Sequence, residues 1–186
     1  MICLLRLLFL SLLSAGAISA FAATPPKATT ADLVVYGGTA SGVMTAYSAA
    51  KQGLHVVLLE PTHHLGGMVT GGLSATDYAY FGIIGGYTRE FYRQAAESYG
   101  THDLLHPTDW LSEPKVGEAI FNQWLKAANV EVHLDERLKE KGGVEMMSKH
   151  VTALVTDDGK QWVGKIFADC SYEGDVMAEA HVSYVV

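Results

Sequence analysis

Residues 32–68, DLVVYGGTASGVMTAYSAAKQGLHVVLLEPTHHLGGM, constrain the fold of this chain more than any other segment. Residues 33–36 form an unbroken apolar run, the pattern of a strand buried on both faces of a parallel sheet. Gly37 stands where the chain must turn, Gly38, Thr39, Ala40 and Ser41 occupy the turn, and Gly42 falls in the first turn of a helix. Ala46 and Ala50, with Ala49 beside them, give that helix a stripe of small residues at i+4 spacing. Gly53 is placed to end it as a left-handed cap, and residues 55–59 supply a second strand.

This order has a chemical consequence. A helix start presents free N–H groups and the positive end of the helix dipole, which favour a pyrophosphate. Glu60 closes the second strand 23 residues after Gly37, near the roughly 20-residue spacing at which a carboxylate receives ribose hydroxyls in dinucleotide-binding units. An acid there repels a 2′-phosphate, so NADP is disfavoured. The second glycine of the G-x-G-x-x-G pattern is Thr39 here, which narrows the backbone approach while offering a hydroxyl to phosphate. The glycines alone would also suit a purely structural βαβ unit. The flanking strands, the small helix face and Glu60 together favour a nucleotide site.

A second glycine group follows. Residues 65–77, LGGMVTGGLSATD, hold four glycines in thirteen positions, too many for a helix or strand interior. On composition alone this is a surface loop with turn glycines. It also suits a backbone passing close to an extended ligand.

The segments DLVVYGGTASG, LLEPTHHLGGMVTGGL, IGGYTREFY, SEPKVGEAIFNQWL and FADCSYEGDVMAEAHVSY resemble, in order, the N-terminal part of the FAD-dependent oxidoreductase family. That family is loosely related to the flavoprotein subunit of heterodisulfide reductase, and some members carry the label xanthan lyase. Thr39 is similar to the family's own G-G-T-x-x-G form. The resemblance implies an α/β, Rossmann-type FAD-binding domain: a parallel sheet with helices and a small inserted β-meander. It implies FAD, with Gly37, Gly38, Thr39 and Gly42 at the pyrophosphate and Ala40 and Ser41 completing the turn. It puts Glu60 on the adenosine ribose, and Gly66, Gly67 and Met68 along the ribityl or flavin end. The implied activity is oxidation of a small organic substrate, the flavin accepting hydride and passing electrons to a separate acceptor. Relatives are longer, so the chain is expected to be an N-terminal part without its substrate domain. The alternatives are a non-catalytic nucleotide-binding fragment and an NAD-dependent dehydrogenase; the Gly66-Gly67 segment speaks against the latter.

Residues 1–22 read as a secretion signal, with Arg6, an apolar core over 7–13 and the A-x-A site Ala20-Phe21-Ala22. The apolar stretch is too short for a good membrane anchor, so the expected location is periplasmic or secreted. Residues 23–31 then read as a linker and 32–186 as the domain. A net charge of −7 argues against non-specific nucleic-acid binding. Two cysteines, Cys3 in the leader and Cys170, exclude a C-x-x-C redox pair and a four-cysteine iron–sulfur cluster from this chain.

Further on, residues 88–98 read as a helix with Phe91, Ala95 and Tyr99 inward, and residues 100–113 as a loop. Pro114 opens a helix with Val116, Ile120 and Trp124 at i+4. Val130, Val132 and Leu134 alternate as a strand. Segments near 144–149, 151–156 and 161–168 read as strands, with Asp157-Asp158-Gly159-Lys160 as a hairpin turn. Residues 167–170 re-enter the main sheet, and Gly174-Asp175 opens a last helix. His63 and His64 are candidates for a covalent flavin tether, though ordinary cofactor-loop imidazoles are simpler. His102 and His106 have metal-pair spacing, but Pro107 argues against the helix this would need, and no metal is expected. Asp169, Glu173 and Asp175 suit either acid–base work or a helix start. Cys170 reads as packed. No catalytic residue emerges, and no nucleophile elbow supports a hydrolase or lyase.

Overall fold

The computed structural model describes residues 28–73, 80–101, 104 and 106–185. The expected leader, Cys3, residues 74–77 of the glycine-rich run and His102 lie outside the described residues. One six-stranded sheet organises the rest, in the order β3-β2-β1-β6-β5-β4. Its strands are β1 (Thr29–Tyr36), β2 (Val56–Leu59), β3 (Glu131–His133), β4 (Val144–Met147), β5 (His150–Val155) and β6 (Gln161–Asp169). β1 pairs in parallel with β2 and β6, and β2 with β3; β4, β5 and β6 pair antiparallel.

The central strands are apolar on both sides because both faces are covered. One face carries α1 (Ala40–Lys51), α2 (Gly86–Glu97) and α3 (Pro114–Ala127). Here Leu33, Val35, Val56 and Leu58 meet Val43, Ala46, Phe91, Ala95, Phe121 and Trp124. The other face packs Val34, Tyr36, Val57 and Leu59 against Leu138, Leu154, Trp162 and Val176, the last from the short α4 (Asp175–Glu179). Each Val, Leu or Phe among them contributes about 1.5–3 kcal/mol on burial.

Three boundaries differ from the sequence reading. β1 begins at Thr29, inside the stretch read as linker, because Thr29, Thr30 and Ala31 pair with Trp162, Val163 and Gly164. α2 starts at Gly86, and Tyr99 lies beyond its end, exposed, its hydroxyl accepting the Glu113 amide at 3.0 Å. The expected loop over 100–113 contains a short 3-10 turn, Pro107–Trp110, whose Trp110 is fully buried and donates to the Leu104 carbonyl.

The meander is not a separate sheet. β6 is one continuous strand: its first residues pair with β5, and the whole length runs beside β1 to the Tyr36–Asp169 pair. The turn between β5 and β6 is the expected one, with Gly159 at φ +83. Among the described residues no helix is long and apolar enough to cross a membrane.

Candidate cofactor site

The site is built where β1 hands over to α1. Gly37 has φ +96, and a Cβ there would meet the Ser171 amide at 2.6 Å. Gly38 is hemmed in by Leu65 at 2.6 Å and the Glu60 carboxylate at 2.9 Å. A Cβ on Gly42 would run into the carbonyl oxygen of Gly37. Backbone thus excludes a side chain at Gly37 and Gly42, and at Gly38 a side chain would have to displace Leu65 and Glu60.

Thr39 accounts for the departure from the glycine pattern. It is the N-cap of α1: its Oγ1 accepts the Gly42 amide at 3.3 Å and donates to the Cys170 carbonyl at 2.8 Å. One hydroxyl thus caps the helix and ties it to the end of β6. Helix geometry leaves the amides of Ala40 and Ser41 without intrahelical acceptors, and Ser41 is exposed. That pair of amides, at the positive end of a 12-residue helix, suits a phosphate.

Glu60 is buried just past β2. One oxygen accepts the Gly38 amide at 2.6 Å; the other accepts the amide and hydroxyl of Thr62 at 2.8 and 2.7 Å. A carboxylate has about four acceptor positions, so capacity remains for a hydroxyl donor. The acid found by spacing thus also braces the turn from beneath.

Gly66 and Gly67 lie beside that turn. The Gly66 amide donates to the Gly38 carbonyl at 2.7 Å, and Thr39 and Gly66 form a parallel bridge. Gly66 and Gly67 have φ of +100 and +54, and Gly67–Val69 is a short 3-10 turn with Met68 exposed. The turn of residues 37–42, Glu60 and the segment of residues 66–68 thus come together at the C-terminal ends of β1 and β2.

The sequence reading missed several supports. Glu118 of α3 reaches across to accept the Leu65 amide at 3.0 Å and lies 3.2 Å from His64 Nδ1. The other His64 ring nitrogen sits 2.8 Å from the Thr70 hydroxyl, which donates to the Leu65 carbonyl. His64 is thereby committed to the protein, while His63 is exposed, 4.0 Å from Asp135. Tyr172 sends its hydroxyl to the Met68 amide at 2.6 Å. Its only signal in the sequence is an aromatic residue set between Ser171 and Glu173 at a strand end.

Asp169 organises the turn after β6, accepting the Ser171 amide and hydroxyl at 3.0 and 2.6 Å and the Met177 amide at 2.8 Å. Asp175 is a candidate for acid–base work on position alone. Burial, reinforced by the negative charges of Asp169 and Glu173, raises its pKa above the usual carboxylate value. Burial likewise raises that of Tyr36, whose hydroxyl accepts the Leu138 amide. Cys170 packs against the helix-side core, as expected.

A parallel sheet with a glycine turn, a capped helix and a buried acid at the next strand end defines a Rossmann-type nucleotide-binding protein. The profile described as FAD dependent oxidoreductase matches residues 32–186. The chain belongs to that family, and its cofactor is FAD. No curated protein matches it in sequence. Solved structures share the fold. L-proline dehydrogenase from P. horikoshii is 14% identical with a TM-score of 0.62, over 88% of this chain and 58% of that one. L-amino acid deaminase from Proteus vulgaris is 14% identical with a TM-score of 0.56, over 80% and 49%. The flavin-containing monooxygenase from Stenotrophomonas maltophilia is 19% identical with a TM-score of 0.50, over 76% and 38%. The chain thus spans between about two fifths and three fifths of these flavoproteins.

Proposed function

We propose that this chain is the FAD-binding part of an oxidoreductase that oxidises a small organic substrate and passes the electrons to a separate acceptor. The observation that carries the reading is the meeting of the two glycine segments beside Glu60. Gly66 pairs with the Gly38 carbonyl while Glu60 accepts the Gly38 amide, so acid, helix start and second glycine loop are neighbours, as the parts of an extended dinucleotide are. Glu60 would receive the adenosine ribose. The amides of the 37–42 turn would hold the pyrophosphate, with Gly37, Gly38 and Gly42 keeping the backbone tight and Thr39 fixing the helix start. Gly66, Gly67 and Met68 would line the ribityl and flavin end.

FAD, when bound, supplies the hydride-accepting chemistry. The residues here bind and orient. The buried Glu60 fixes the turn, and the helix start offers amides to negative charge. No residue is assigned as acid or base.

The leader at residues 1–22 supports export to the periplasm or secretory pathway, and the acidic composition supports a small-molecule partner over nucleic acid. The kinship with heterodisulfide reductase flavoproteins and with proteins labelled xanthan lyase rests on the sequence resemblance alone. The deciding experiment is incubation of the full chain with FAD, desalting, and an absorbance spectrum, with NAD in parallel. Retained flavin bands are expected. A folded chain that retains none, and takes up NAD instead, overturns the reading.

A further inference from the structure

The notch at Gly67 is already filled. Gly67 has a left-handed backbone on an exposed turn, and the group that bars a side chain there is the phenol of Tyr172. The tyrosine comes from the turn after β6, 104 residues beyond Met68, whose amide it accepts at 2.6 Å. Its root is rigid. The Cys170 amide donates to the Tyr36 carbonyl at 2.7 Å, Thr39 holds the Cys170 carbonyl, and Ser171 is bonded twice to Asp169. Its ring is 58% exposed. The turn it grows from abuts Gly37, and the loop it touches pairs with Gly38. The side chain therefore links the turn after β6 to the loop of residues 66–68.

We infer that Tyr172 is a latch on the flavin half of the cofactor site. Its phenol takes both the space at Gly67 and the Met68 amide, and it swings into solvent before the flavin end of FAD lies along residues 66–68. The inference rests on the proposed assignment of that half of the site. A single neutral hydrogen bond holds the latch, which is weak enough to open, and an exposed ring has room to move. ADP carries only the adenosine and the two phosphates. It needs the 37–42 turn and Glu60, and it does not need the notch. The latch therefore acts on FAD and not on ADP.

The test compares the full chain with Tyr172→Phe and Tyr172→Ala, by stopped-flow association of FAD and equilibrium titration of ADP. ADP affinity should be the same in all three. FAD association should be faster by roughly three- to tenfold in Tyr172→Phe, from loss of one hydrogen bond, and faster still in Tyr172→Ala. Equal FAD association rates in all three overturn the latch. Slower FAD association with unchanged ADP binding also overturns it, and makes the tyrosine a supporting wall for the bound flavin. Failure of ADP to bind the unmodified chain overturns the assignment of the site, and the latch with it. Tyr172→Phe keeps the ring and its packing, so it decides the matter even if thermal melting shows Tyr172→Ala to be unfolded.

Discussion

The two glycine-rich segments that meet at the site are held by different means. The turn of residues 37–42 is fixed by backbone: the Gly37 carbonyl fills the space beside Gly42, the Cys170–Ser171 peptide that beside Gly37, and the Thr39 cap ties the helix to β6. The loop of residues 65–70 has one backbone anchor, the Gly66–Gly38 hydrogen bond, and beyond it depends on side chains: Glu118, His64, Thr70 and Tyr172, with Met68 and Val69 exposed. Backbone sterics leave one conformation, whereas a loop held by a few side-chain hydrogen bonds opens locally at small cost. On the proposed assignment, the segment that would hold the phosphates is the tighter of the two, and the one that would meet the larger ring system is the looser.

The largest predicted effect breaks the rigid half. In Gly42→Ala the new Cβ meets a backbone carbonyl and nothing flexible can yield. Stability should fall by about 3 kcal/mol or more, a drop in melting temperature on the order of 10 °C. A variant that melts like the parent refutes the steric account. Glu60→Gln comes next. It loses the charge that strengthens three hydrogen bonds, at about 2–3 kcal/mol, and should weaken ADP and FAD alike, as read by urea unfolding and paired titrations. Glu118→Gln touches only the adjustable half. It should cost about 1 kcal/mol in unfolding while weakening FAD more than ADP; equal weakening of both ligands would erase the distinction between the halves.

The smallest effect serves as a control far from either segment. The hydrogen bond from Arg93 draws the Glu90 pKa down to about 2 from 4.5. A carboxyl with a depressed folded pKa stabilises above its unfolded value, and that contribution is lost as pH falls from about 4.5 to about 2. Both side chains are more than a third exposed, so solvent screening keeps the contribution under about 1 kcal/mol. Glu90→Gln should flatten the acid limb of a stability–pH curve by that amount and leave ADP titrations unmoved.

The rigid half was readable in the sequence because its determinants are local. An apolar run, small residues at fixed offsets and an acid at the next strand end all lie within residues 33–60, and each is dictated by backbone geometry. Even Thr39, an irregularity in the pattern, is a standard helix cap. The adjustable half was readable only as a run of glycines. What fixes it arrives from α3 and from the turn after β6, and no spacing rule links Glu118 to Leu65 or Tyr172 to Gly67. The same limit split β6 into two readings, a meander strand and a returning strand. Both pairings belong to one strand, and its partners are distant in sequence.

That single strand also sets a timetable. β1 lies at the heart of the sheet, yet one of its edges is filled only by β6, with Thr29 opposite Trp162. At about 5–20 residues per second of synthesis, the edge of β1 waits on the order of ten seconds for its partner. Throughout that interval Val34 and Val35 sit beside an open row of amides and carbonyls, an invitation to strand pairing with a neighbouring chain. The strand that launches the cofactor turn is among the first to be made and the last to be sealed, so the newborn chain is most open to misassembly at the root of its own binding site.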